Sequence, residues 1–207
     1  MKHLLKHKFG ESARPYNRER LIWAALQDIH QLFFMMDTRM EGLYPAEASE
    51  RRKDYGANVL PQKVMDKAVV HTAFPLGVTQ QDVEMLLKQL SQQKVAVFRS
   101  GMDIYVEVDI ASLVPGDIIF VSFGDIVPAD VRILHARELL VNQYLMTGDR
   151  QVTVKSSSMD GFACTMSSIT GLPNICLMGT TVIGGMARAV VIGTGSATYL
   201  GKMLYGY

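Results

Sequence analysis

Three turn clusters, set at short intervals among alternating apolar residues, restrict what this chain can fold into. Pro115-Gly116-Asp117, Gly124-Asp125 and Thr147-Gly148-Asp149 punctuate the run LVPGDIIFVSFGDIVPADVRILHARELLVNQYLMTGDRQVTVK over residues 113–155. Glycine supplies the positive φ of tight turns, proline presets φ, and aspartate hydrogen-bonds its own backbone. Short apolar runs between such clusters predict a compact unit of strands. Successive side chains of a strand alternate. Ile118, Phe120 and Ser122 are therefore expected to face one way, with Ile119, Val121 and Phe123 facing the other.

The pattern extends to both sides. Val95 and Val97 alternate with Ala96 and Phe98, Ser100-Gly101 makes a tight turn, and Ile104, Val106 and Val108 return. Residues 156–161 read as a flexible loop. Residues 176–178, 180–183 and 187–192 read as closing strands, the last two separated by Gly184-Gly185. Residues 199–204 predict a short terminal helix.

The amino-terminal half has helical periodicity instead. Leu21, Ile22, Ala25, Leu26, Ile29, Leu32, Phe33 and Met36 form one apolar stripe, which predicts a single amphipathic helix over residues 21–36. Residues 46–55 predict a second helix, stopped by Gly56. Thr79, with Asp82 three places on, fits a capping box, and Val83, Leu86, Leu87 and Leu90 give the following helix its inner face. Residues 1–18 are polar and basic, broken by Gly10 and Pro15, and predict a flexible arm that could touch anionic lipid. The expected division is residues 1–18 arm, 19–93 helical segment and 94–207 β-rich domain.

Composition narrows the function classes. A chain of 207 residues with 48% hydrophobic residues can hold a sizeable core, and its net charge of +1 argues against a nucleic-acid footprint, which usually needs a clustered basic face. Cys164 and Cys176 are too few for a disulfide framework and lack metal-ligand spacing, as do the five histidines. A membrane-crossing helix needs about 20 consecutive apolar residues. The best stretch, residues 21–36, is shorter and contains Gln27, Asp28, His30 and Gln31, so a soluble chain is expected.

The ordered strings Leu113-Val114-Pro115-Gly116-Asp117, Val127-Pro128-Ala129-Asp130 and Thr147-Gly148-Asp149 resemble the actuator domain of P-type cation-transporting ATPases. The similarity continues through Leu177-Met178-Gly179-Thr180-Thr181-Val182 to Gly193-Thr194-Gly195 and Gly201-Lys202. It is nearest in flavour to the bacterial magnesium-transporting branch. Residues 41–61 (EGLYPAEASERRKDYGANVLP) resemble the segment that precedes the first membrane helix of such pumps, yet no membrane hairpin follows. The resemblance implies an α+β fold, a distorted jelly roll (double-stranded β-helix-like) with amino-terminal helices packed on it. Asp117, Asp125 and Asp130 read as turn-capping residues.

The family's Thr-Gly-Glu loop positions a water that hydrolyses an aspartyl phosphate on another domain. Carried over, the resemblance gives Asp149 the water-positioning role and makes Thr147 and Gly148 the rest of the loop. Two departures stand out. Asp149 is shorter than glutamate by one methylene, about 1.5 Å, and a misplacement on the order of 1 Å lowers a rate by about a hundredfold. Arg150 stands where the family has serine, and it could either pair with Asp149 or face the phosphate. The phosphorylation motif and a nucleotide-binding domain are absent from these residues, so Mg2+ and ATP belong to the parent pump and no cofactor is expected in this chain. The implied partner is the phosphorylation domain of a P-type ATPase, in cis or in trans. No nucleic-acid partner is expected, and membrane contact only through the pump or the basic arm. The implied location is the cytoplasm or the cytoplasmic face of the inner membrane. Two readings stay open: a pump's working actuator, or a stand-alone degenerate actuator that binds and regulates a pump without catalysis.

Overall fold

A computed structural model describes residues 18–60, 67–102, 105–159 and 168–205. The expected arm (apart from Arg18), Ile104 and Cys164 lie outside the described residues, as do residues 160 and 161 of the expected loop. The chain is α+β, as the sequence predicts. Helices α1 (Arg18–Leu26), α2 (Ile29–Met36), α3 (Pro45–Tyr55), α4 (Lys67–Ala73) and α5 (Gln80–Gln92) come first. Then follow β1 (Lys94–Phe98), β2 (Val106–Asp109), β3 (Ile118–Ser122), β4 (Asp130–Asn142), α6 (Tyr144–Thr147), β5 (Val152–Val154), β6 (Ile175–Cys176), β7 (Thr181–Gly193) and α7 (Tyr199–Tyr205).

Among the described residues, all seven strands join one antiparallel sheet in the order β2-β1-β3-β7-β4-β5, with β6 paired to β4. The 13-residue strands β4 and β7 form its spine, and the break expected at Gly184-Gly185 does not occur. The irregularity is absorbed as bulges, with register shifts between Arg137 and Leu140. Gly185 has φ +70° there, and an added Cβ would strike the Arg137 and Glu138 carbonyl oxygens. Only glycine fits that crossing.

The single helix expected over residues 21–36 is two. Asp28 leaves helical geometry and its carboxylate accepts the Gln31 N–H at 2.9 Å, capping α2. Aspartate is a poor interior helix residue and a strong N-cap, so it wins over the apolar period. The capping box at Thr79 and Asp82 forms as expected, and Val83, Leu86 and Leu90 are buried. In β3 both Ile118 and Ile119 are buried, because β1 and β7 flank the strand and the sheet is covered on both faces at this point. Phe123 lies beyond the strand and is exposed.

Leu21, Ala24 and Leu32 share one continuous core with Val97, Ile119, Val131, Val191 and Leu200. Polar struts reinforce it. The buried Asn58 amide donates to the Ile110 and Pro128 carbonyls (3.0 and 2.9 Å) and its oxygen accepts the Gly195 N–H at 2.8 Å. Asp117 accepts the Val114 N–H at 3.0 Å, closing its turn, and pairs with the buried Arg99. Asp125 likewise caps its turn, accepting the Ser122 N–H at 2.7 Å. Asp130 does more than cap a turn: its oxygens take the N–H groups of Met178 (2.9 Å) and Tyr199 (2.7 Å), from segments 48 and 69 residues away. Burial pushes its carboxyl up to about 6.

Candidate functional site

The Thr147-Gly148-Asp149 loop stands at the end of β4, where the sheet hands the chain to α6 and then to β5. Asn142, the last residue of β4, holds both ends of the excursion. Its Oδ1 accepts the Tyr144 N–H at 2.9 Å and its Nδ2 donates to the Arg150 carbonyl at 2.9 Å. Between these anchors α6 makes one turn and ends at Gly148, whose φ of +72° places it in the left-handed region and whose N–H reaches the Tyr144 carbonyl. This is the usual glycine termination of a helix.

Thr147 and Asp149 are exposed, and both are engaged locally. The Thr147 hydroxyl donates to the Gln143 carbonyl at 3.1 Å and accepts the Asp149 N–H at 3.1 Å. Asp149 Oδ1 accepts the Gln151 N–H at 2.9 Å, an Asx-type turn. Its Oδ2 makes no hydrogen bond among the described residues, so one carboxylate oxygen faces outward.

Arg150 does not pair with Asp149. Its guanidinium lies 4.4 Å over the centre of the Tyr144 ring. The ring is fixed in turn, because the Tyr144 hydroxyl donates to the Gly77 carbonyl at 2.5 Å. Hydrogen bonds from Thr79 hold the Asp82 carboxyl below the usual range, and the Arg150 charge lowers it further. A second contact joins the same two segments. A Cβ on Gly148 would come within 2.9 Å of the Leu76 carbonyl oxygen and 3.0 Å of Pro75 Cβ. The bare Cα of Gly148 is thus covered by the turn before α5.

The family follows from the chain as a whole. Residues 89–205 match the family model of the P-type ATPase actuator domain. The chain belongs to that family. The match takes in every strand and the loop above. The chain is 29% identical to the magnesium-transporting ATPase, P-type 1, of Salmonella typhimurium over 91% of its length, covering 26% of that protein. It is 30% identical to the magnesium-transporting ATPase, P-type 1, of Escherichia coli K12 over 86% of its length, covering 25% of that protein. Against calcium-transporting ATPase 1 of Schizosaccharomyces pombe it is 38% identical over 52% of this chain and 11% of that protein. This actuator chain therefore spans about a quarter of the magnesium-transporting relatives it matches. The Salmonella alignment runs over 238 positions, more than the 207 residues present here, so that relative has residues within the aligned region that this chain lacks.

Among the described residues, no group of three or more His, Cys, Asp or Glu is placed to hold a metal, and no helix is long and apolar enough to cross a membrane. Sequence reasoning singled out Thr147, Gly148, Asp149 and Arg150, and the structure brings all four onto one loop. It missed Asn142, Tyr144 and the turn at residues 75–77. The signal for Asn142 was present: an asparagine closing a strand just before a short helical run is a helix-start pattern. Nothing local signals Gly77, which is 67 residues from Tyr144.

Proposed function

We propose that this chain is the actuator of a P-type cation pump, magnesium being the cation, and that its loop assists hydrolysis of an aspartyl phosphate on a phosphorylation domain. The observation that carries the reading is the exposed Asp149 carboxylate, with one oxygen outward, on a loop anchored at both ends by Asn142. A carboxylate so placed can orient water and take its proton as general base. The water oxygen attacks phosphorus, the bond between phosphorus and the acyl oxygen breaks, and its electron pair leaves with the aspartate carboxylate. Inorganic phosphate is released and the water proton passes to Asp149. The magnesium assignment is supported by the two magnesium-transporting relatives, each aligned over most of this chain. The Mg2+ and ATP of the cycle would be handled by the rest of the pump, on the cytoplasmic side of the membrane.

A second reading has its own support. Asp149 is shorter than glutamate, and one of its oxygens is occupied by the Gln151 N–H. A protein with this loop could dock on a phosphorylated pump and regulate it without hydrolysing anything. A dephosphorylation assay separates the two. A magnesium-type pump lacking its own loop glutamate is phosphorylated, this chain is added, and loss of acyl phosphate is followed. Accelerated loss that Asp149→Ala abolishes supports the catalytic reading. No acceleration by the chain or by Asp149→Glu, with retained binding to the pump, supports the regulatory one.

A further inference from the structure

We propose that Arg150 is the phosphate-binding residue of this loop, its guanidinium presented by Tyr144 to the anionic oxygens of the phosphoryl group. This deepens the reading above and rests on it for the identity of the ligand, an acyl phosphate.

The argument starts from what Arg150 does not do. Arg150 follows an aspartate of opposite charge, but Asp149 has turned one oxygen to the Gln151 N–H. Arg150 makes no ion pair among the described residues, although its charge is felt at Asp82. The charge is therefore left available on the exposed side of the loop.

It is also held in place. The Arg150 backbone carbonyl is gripped by Asn142 at 2.9 Å, and its guanidinium carbon sits 4.4 Å from the centre of a ring whose hydroxyl is tied to Gly77 at 2.5 Å. A guanidinium resting over an aromatic face still has N–H groups to offer for bidentate contact with phosphate oxygens. Part of the ordering that binding would require is thus already done in the unbound protein. The neighbouring carboxylate then has a division of labour: Arg150 binds the phosphoryl oxygens, while Asp149 addresses the water.

Two measurements test this on the full chain. In the first, inorganic phosphate is titrated into 15N-labelled protein, with sodium chloride at matched ionic strength as control. The Arg150 side-chain Nε–H and the Gly148, Asp149 and Gln151 amides are expected to shift saturably with phosphate, and not with chloride. Arg150→Gln should abolish the shifts, Arg150→Lys should weaken them, and Asp149→Ala should retain them. In the second, the in-trans dephosphorylation assay is repeated with Arg150→Gln. The expected result is a roughly tenfold rise in KM with a smaller change in kcat, since the lost contact binds phosphate in the ground state as well. Equal shifts with phosphate and chloride overturn the proposal. So does an Arg150→Gln variant with wild-type phosphate binding and KM, even where Asp149→Ala abolishes turnover and the catalytic reading stands. Conversely, specific phosphate binding through Arg150 without any dephosphorylation removes the catalytic reading and leaves this one.

Discussion

The hydroxyl of Tyr144 donates to the carbonyl of Gly77 at 2.5 Å, and through that bond the loop after β4 is fastened to the turn that opens α5. The same ring carries Arg150, so one residue sets both where the loop sits and where its cation lies.

Tyr144→Phe keeps the ring and removes the fastening. An exposed hydrogen bond contributes about 0.5–1.5 kcal/mol, so global stability should change little. Local opening of the loop should rise roughly two- to tenfold, which amide exchange at Thr147 and Gly148 will read. Unchanged exchange would show that packing alone holds the loop.

Gly148→Ala should be damaging for two reasons that add. The residue sits at φ +72°, and the new Cβ would press on the Leu76 carbonyl and Pro75. Left-handed backbone in a residue other than glycine costs on the order of 1–3 kcal/mol. For a chain of this size that lowers Tm by roughly 2–10 °C, measurable by calorimetry. A wild-type Tm would mean the turn at residues 75–77 yields without resistance.

Asn58→Ala leaves the buried Pro128 carbonyl and the buried Gly195 N–H without their partner, while the Ile110 carbonyl keeps the Leu113 N–H. An unsatisfied buried group costs about 1–3 kcal/mol, so urea unfolding should show a loss of at least about 2 kcal/mol. A loss below 1 kcal/mol would indicate that water replaces the amide.

Lys155 gives a pH signature. It is buried, donates to the Thr170 and Leu172 carbonyls at 2.9 and 2.8 Å, and burial depresses its ammonium to about 8. Between about 8 and the usual lysine value the unfolded chain binds the proton that the native chain has released, so stability rises with pH across this window. Relative to Lys155→Met, the wild type should gain on the order of 3 kcal/mol from pH 8 to pH 10.5. Denaturant midpoints of the two proteins across that range check it. A difference independent of pH would place a proton on Lys155 throughout.

Much was legible in residue order because it follows from local chemistry. The turns at Gly116 and Gly124, the capping box at Thr79 and the strands from Lys94 onward depend on neighbours a few residues apart. Where a local rule met another local rule, as at Asp28, the stronger one had to be weighed, and the apolar stripe hid the cap. Gly184-Gly185 reads as a break by composition, but pairing along the whole of β4 carries the strand through it.

The sequence by itself determined the family, the α+β class and the loop Thr147-Gly148-Asp149-Arg150, since each is written in contiguous residues. Only the tertiary structure decided what that loop does with its side chains. Whether Arg150 pairs with Asp149 or lies on Tyr144 depends on a ring held by Gly77, and what covers Gly148 depends on Pro75 and Leu76. These partners lie about seventy residues away along the chain, and they meet the loop only once α5 has packed against the sheet.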